Sequence, residues 1–160
     1  MVETGPESCL KFSTLRMLES TTGREGEAAI TACEESSLDS FPEQPTGADV
    51  SQVDVDSDSA TAQLAFKGSF LDGQRLRYAF VEREGRWKFD QMLGFVDLDA
   101  ARLILRMGRE GLMQADTPQE GESISCWIDR MERMSDEELE ELLFGDRDVS
   151  SDCTAKSNAI

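Results

Sequence analysis

The spacing of apolar residues predicts helices at both ends of the chain and strands between them. Apolar positions recur at helical spacing over about 7–20 and 26–35, and again from Val96 to Met107. Between these segments, over 49–92, apolar and polar residues alternate, which is the pattern of half-buried strands. The segment 36–48 contains two prolines and a glycine and predicts a loop. The chain is therefore expected to have an α+β fold.

The alternating region predicts an antiparallel meander of about four strands. Asp72-Gly73 and Glu84-Gly85 are turn signals that separate successive alternating runs. One face of this sheet is expected to be apolar and to form either a core or a small ligand pocket. The residues expected to line it are Leu64, Phe66, Leu76, Tyr78, Phe80 and Trp87.

A small helical module is predicted after the sheet. The polar segment 114–121 is expected to be a linker, and the next helix carries apolar residues from Ile124 to Met131. A further helix should begin after Ser135, because Ser135 and Glu138 have the spacing of a capping box. The expected organisation is an α+β domain at 7–113, a helical module at 122–153 and a tail at 154–160.

The four cysteines form one pair at each end of the predicted sheet. Cys9 and Cys33 flank one helical stretch, and Cys126 and Cys153 flank another. The chain has no histidine and no closely spaced cysteine pair, so a zinc site is not favoured. We predict the disulfides Cys9–Cys33 and Cys126–Cys153, which persist outside the cytosol. Four free thiols in a cytosolic protein are the alternative.

The net charge of −17 excludes some partners. A surface so acidic repels nucleic-acid phosphates and anionic lipid headgroups, so nucleic-acid binding is not expected. Solubility, or tolerance of high salt, explains the charge more simply than an acidic docking face. The start of the chain lacks a basic and apolar signal peptide, so an exported protein would need its export signal ahead of Met1.

Residues with catalytic or metal-binding potential are few. Tyr78 and Asp90 are the candidates on the sheet. The alternation places Tyr78 on the face of Leu76 and Phe80 and Asp90 on the face opposite Phe89, so the two need not share a pocket. The segment that begins at Asp54 resembles a calcium loop, but Ser59 and Ala65 occupy the positions that require glycine and glutamate. We predict no catalytic residue, no metal site and no cofactor.

Three features of the sequence carry a family resemblance. The run at 81–90 reads VEREGRWKFD. Placed after helices and an antiparallel meander, it resembles the last strands of many members of the nuclear transport factor 2-like superfamily of cone-shaped domains. The segments CLKFST at 9–14, GEAA at 26–29 and ACE at 32–34 look like secreted or lipid-anchored actinobacterial members. The end of the chain, with CWIDR at 126–130 and MSDEEL at 134–139, is similar to cysteine-bearing helical modules of the same proteins.

The resemblance implies a cone-like sheet with N-terminal helices, followed by a helical pair. The superfamily contains polyketide cyclases, steroid isomerases and many non-catalytic binding domains. The histidine and aspartate of its catalytic members have no counterpart here, so no catalytic residue carries over.

The favoured function is an exported, envelope-associated binding domain without enzymatic activity. Its partner would be a protein or a small apolar ligand, with Tyr78, Phe66, Phe80 and Trp87 as ligand-binding residues, and a homodimer is a further alternative. The alternative functions are a cyclase-type or isomerase-type enzyme and a cytosolic protein of a salt-loving organism with reduced cysteines.

Overall fold

The computed structural model describes residues 7–35, 45–144 and Cys153, and within them the chain is α+β. The predicted loop residues 36–44 and the tail 154–160 lie outside the described residues. The helices are α1 Glu7–Phe12, α2 Leu15–Thr22, α3 Glu27–Glu35, α4 Ala100–Met113, α5 Pro118–Met131 and α6 Asp136–Phe144. The strands are β1 Gly47–Asp56, β2 Ser59–Lys67, β3 Arg75–Arg83 and β4 Arg86–Asp97.

The four strands form one antiparallel sheet in the order β1-β2-β3-β4, as the alternating pattern predicts. The turn between β3 and β4 is tight because Glu84 and Gly85 both have positive φ angles, of 56° and 73°. This geometry matches the right-handed twist of the flanking strands. The predicted meander is therefore confirmed, with β1 and β4 as its two edges.

Strand β4 carries three inserted residues that the alternating pattern does not reveal. Its register with β3 shifts at three places, where Asp90, Leu93 and Val96 each lack a residue opposite. A bulge bends its strand and increases the local twist. The expectation that Val96 begins the following helix is wrong, because β4 extends to Asp97. Val96 is instead the inserted residue of the third bulge.

The N-terminal helices meet the outer edge of β4 at a break between α1 and α2. A single helix over 7–20 was the expectation, but Thr14 ends it by acting as the N-cap of α2, with its hydroxyl accepting from the Met17 N–H at 3.2 Å. The freed backbone then pairs with the sheet. Ser13 forms a parallel bridge with Phe89, and the Thr14 N–H donates to the Phe89 carbonyl at 2.8 Å.

Two hydrophobic clusters share Leu71 and Phe95. One lies on the sheet, where Leu64, Leu76 and Tyr78 are buried. The other joins α4 to the terminal helices, and its buried members are Leu103, Ile104, Met131 and Leu139. The terminal helices therefore pack on α4 and β4, while the boundaries at 7–113 and 122–153 remain sequence predictions.

Helix α5 begins earlier than expected. The polar segment 114–121 was interpreted as a linker, but Thr117 caps the helix in a reciprocal pair with Glu120, and Pro118 opens its first turn. Glycines on α4 allow α5 to approach closely: a Cβ on Gly108 would lie 2.6 Å from the Ile128 Cδ1. The capping box predicted for α6 is confirmed, because the Glu138 N–H donates to the Ser135 hydroxyl at 3.2 Å.

Buried polar groups fix the connection from the sheet to α4. Gln74 is fully buried, and its side-chain amide donates to the Asp99 carbonyl and accepts from the Asp99 N–H, both at 3.1 Å. Asp99 in turn caps α4 by accepting from the Arg102 N–H at 3.0 Å. The side chain of Gln74 thus forms hydrogen bonds with both backbone groups of Asp99, between the end of β4 and the start of α4.

Both predicted disulfides are present. Cys9 is joined to Cys33 and Cys126 to Cys153, with Cα separations of 6.3 Å and 5.9 Å. The first links α1 to α3, and the second links α5 to the buried Cys153 beyond α6. Oxidised pairs of this kind are compatible with an extracellular location.

Glu140 of α6 contacts the outer edge of β4, and mutation tests how much this contact stabilises the fold. Its carboxylate accepts from the Phe95 N–H at 2.7 Å, beside Gly94, whose φ is 116°. We expect Glu140→Ala to lower the free energy of unfolding by about 1–3 kcal/mol because the Phe95 N–H loses its acceptor. Chemical denaturation measures the loss, and amide exchange at Phe95 should accelerate.

Glu140→Gln keeps an acceptor and should retain most of the stability, whereas Glu137→Ala on the exposed side of α6 should change little. Equal losses in the alanine and glutamine variants would show that this hydrogen bond does not secure the edge.

Candidate functional site

The predicted ligand-binding aromatics partly assemble into one cluster on the sheet. The ring of Tyr78 lies 6.2 Å from that of Phe66 and 6.4 Å from that of Phe80, measured between centroids. Phe89, which the sequence-based site did not include, packs edge-on against Tyr78 at 5.3 Å and in a tilted arrangement against Phe80 at 4.7 Å. Its place two residues after Trp87 in the alternation was the signal that pointed to it.

Trp87 does not belong to this cluster. It is 43% exposed and lies opposite Glu82 near the turn of the β3–β4 hairpin. Among the described aromatic side chains, none makes a ring contact with it. Trp87 therefore lies on the predicted face but is not buried there, because the alternation gives the face of a strand but not how far the covering helices extend along it.

Tyr78 occupies the centre of the cluster and retains its proton. Only 4% of the residue is exposed, and burial raises the pKa of the phenol to about 12. No hydrogen bond to the phenol is found within the described residues. A tyrosine in this setting can donate a hydrogen bond but does not act as a base at neutral pH.

Asp90 does not form a catalytic pair with Tyr78. It is one of the inserted residues of β4, and its carboxylate lies 3.4 Å from the Arg16 guanidinium. The Asp90 carbonyl also accepts from the Thr14 hydroxyl at 3.5 Å. These contacts hold α2 against the sheet, so Asp90 acts structurally.

A groove of about 620 Å³ lies on the other side of the fold, between the start of α4 and the turn that joins α5 to α6. Its floor includes Ile104 and Met131, which belong to the buried cluster, and its rim includes Glu132 and Asp136. The apolar floor suits a small apolar group, while the rim is acidic.

Strand β1 presents the most exposed apolar surface of the sheet. Val50 and Val55 are in register with Leu64 and Ala60 of β2, so they lie on the face that is buried elsewhere in the sheet. Val53 lies between them, in the bulge that separates Ser51 from Asp54 in the β1–β2 pairing. These three valines are between 56% and 60% exposed, because no described element covers this face at β1.

The opposite face of β1 is acidic. Asp49, Asp54 and Asp56 are in register with Ala65, Thr61 and Ser59. Asp49 is paired with Lys67 at 2.5 Å, whereas no cation of the described chain pairs with Asp54 or Asp56. The strand itself contains neither lysine nor arginine. The residues that resembled the start of a calcium loop therefore lie at the end of β1, in the β1–β2 turn and at the first residue of β2.

No family model, curated protein or solved structure matches the chain. Within the described part of the chain, no helix has the length and apolar character needed to cross a bilayer. No group of three acidic or cysteine side chains with the arrangement of a metal site occurs among the residues of 7–35, 45–144 and 153.

The titration of Tyr78 tests whether the aromatic cluster is closed. The unfolded chain releases the phenol proton near pH 10, the ordinary value, and the folded chain near pH 12. The contribution of this group to stability is therefore complete below pH 10 and is lost as the pH rises from 10 to 12. Because Tyr78 is the only tyrosine, ultraviolet titration reports on it directly.

Tyr78→Phe should remove this pH dependence and change the free energy of unfolding at neutral pH by less than about 1 kcal/mol. A measured pKa near 10 would show that solvent or a ligand reaches the phenol, and that the cluster is an open pocket.

Proposed function

We propose that the protein is an exported, envelope-associated interaction domain without enzymatic activity, and that it contacts its partner through β1. The observation that carries this proposal is the difference between the two sheet edges. The edge at β4 is engaged by Ser13, Thr14 and Glu140. At the β1 edge, no described strand other than β2 pairs with the backbone, and the valines are exposed; contiguous apolar surface of this kind is typical of interaction sites.

The two disulfides support the proposed location. Crosslinks that close helical segments at both ends of the chain are typical of proteins that fold outside the cytosol. The disulfides also disfavour the alternative of a cytosolic protein with reduced cysteines. That alternative is then supported only by the acidic surface.

The three bulges of β4 support a curved, cone-like sheet of the nuclear transport factor 2-like kind. In a cyclase or isomerase of that superfamily, the concave face would hold a pocket with an inward carboxylate. Here the equivalent face is filled by Tyr78, Phe66, Phe80 and Phe89. The enzyme remains the alternative, with Tyr78 as a hydrogen-bond donor.

A small apolar ligand is a second candidate partner, and the groove beside α4 favours it. Its volume of about 620 Å³ falls within the range of small-molecule sites, and Ile104 and Met131 give it an apolar floor. None of the predicted aromatic residues lines the groove. No residue of β1 lines it either, so a ligand in the groove would leave the β1 surface available to a protein.

Photocrosslinking tests the interaction surface. A photoreactive amino acid at Val53 should form one discrete protein adduct with envelope preparations of the source organism, and an excess of unlabelled protein should suppress it. The matched control is Met113 of α4, which is apolar and 78% exposed but belongs neither to β1 nor to the lining of the groove. The Val53 adduct should persist in the Tyr78→Phe background.

Adducts of equal yield at Val53 and Met113 would indicate nonspecific capture and contradict the proposal. A small molecule that copurifies with the protein and is lost in Tyr78→Phe would instead support the enzyme.

A further inference from the structure

We propose that β1 binds an extended segment of a partner in which basic and apolar residues alternate, and that the segment adds to the sheet as a fifth strand. This inference rests on the proposed interaction function and names the chemistry of the partner. The occupied surface is the outer edge of Gly47–Asp56 together with its two faces.

The backbone of β1 is available for strand addition. It is an edge strand of ten residues, all of them exposed, and it pairs with β2 alone among the described strands. Natural proteins usually protect such edges with short strands, bulges or a covering element. Here a single irregularity near Gln52, which has a φ of 50°, is the only bulge in the β1–β2 pairing.

The side chains of β1 specify what the added strand should carry. The apolar face, with Val50, Val53 and Val55, offers contacts to apolar side chains on one face of an incoming strand. The acidic face offers Asp54 and Asp56 to basic side chains on the other. These two carboxylates are two residues apart, and a strand that alternates lysine with valine repeats at the same distance of about 7 Å.

A second copy of this chain is a poor occupant of the same edge. Strand β1 carries three acids and no base, so pairing it with itself would place like charges across the interface. The net charge of −17 adds repulsion between whole molecules. A basic segment avoids both costs.

Acidic residues on an edge strand also have a protective role, because they oppose aggregation. That role explains Asp54 and Asp56, but it does not explain three exposed valines on the opposite face. A purely protective edge would gain from polar residues at those positions. The combination of one apolar and one acidic face is what indicates a specific partner.

Peptide binding provides the test. The probe is a fluorescein-labelled peptide, capped at both ends, that alternates valine and lysine, and fluorescence anisotropy at moderate salt reports its binding to the full chain. We expect saturable binding that falls about fivefold to tenfold in the double variant Asp54→Asn/Asp56→Asn, since each exposed ion pair contributes a modest amount. Neutralising Glu122 and Asp129 on α5 removes the same charge and should leave binding within about twofold.

Three control peptides separate strand addition from simple charge attraction. A peptide that alternates valine and glutamate should not bind. A peptide of the same composition with its lysines grouped in one block should bind weakly, because its side chains no longer match the two faces. Methylation of alternate backbone nitrogens on the edge that faces β1 should abolish binding, because it removes the donors of the added strand.

Several results would overturn the inference. These are equal binding by the block or methylated peptide, no effect of Asp54→Asn/Asp56→Asn relative to the α5 variant, and dimerisation of the free chain through β1 in sedimentation experiments. Self-association of the double variant without peptide binding by the unmodified chain would assign the acids a protective role only. If the peptide fails while the Val53 crosslink persists, the interaction function stands and the basic partner is rejected.

Discussion

The three bulges of β4 are the constraint on which the arrangement of the sheet depends. Each adds a residue to one side of the β3–β4 pairing, so β4 must bend relative to β3. Backbone groups on the outer edge of the bent strand form hydrogen bonds with residues outside the sheet. The Phe89 carbonyl accepts from Thr14, and the Phe95 N–H donates to Glu140. The N-terminal helices and α6 are thus attached to the same strand.

The consequence is a sheet with two different edges. At β4, helices from both ends of the chain are anchored, and the two hydrophobic clusters meet at Phe95 and Leu71. At β1, on the other side, none of the described helices covers the sheet, and three valines are exposed. A domain built in this way is stabilised on one side and free to bind on the other.

Much of the fold follows from local patterns, because those patterns depend on few neighbours. The alternation over 49–92 predicts the strands, the Glu84-Gly85 pair predicts a tight turn, and the capping spacing of Ser135 predicts the start of α6. The two disulfides follow from the placement of the cysteines around helical segments. Each of these features depends on residues that are close together in the sequence or on a simple pairing.

The other features depend on tertiary contacts or on single capping residues within an otherwise helical or polar segment. A bulge leaves almost no trace in an alternating pattern, so the insertions at Asp90, Leu93 and Val96 became visible only in the register with β3. The break at Thr14 was marked by a capping residue, as was the start of α5 at Thr117. The exposure of Trp87 and of the β1 valines depends on where the helices end over the sheet, which no local pattern specifies.

Hydrogen exchange of the free protein, followed by NMR amide by amide, tests the central claim that one edge is closed and the other open. We expect the outward-facing amides of β1 to exchange rapidly, while the Phe95 amide of β4 is protected by Glu140. The inward-facing amides of β1, which bond to β2, serve as the internal reference. Strong protection of the outward β1 amides, or rapid exchange at Phe95, would contradict the account.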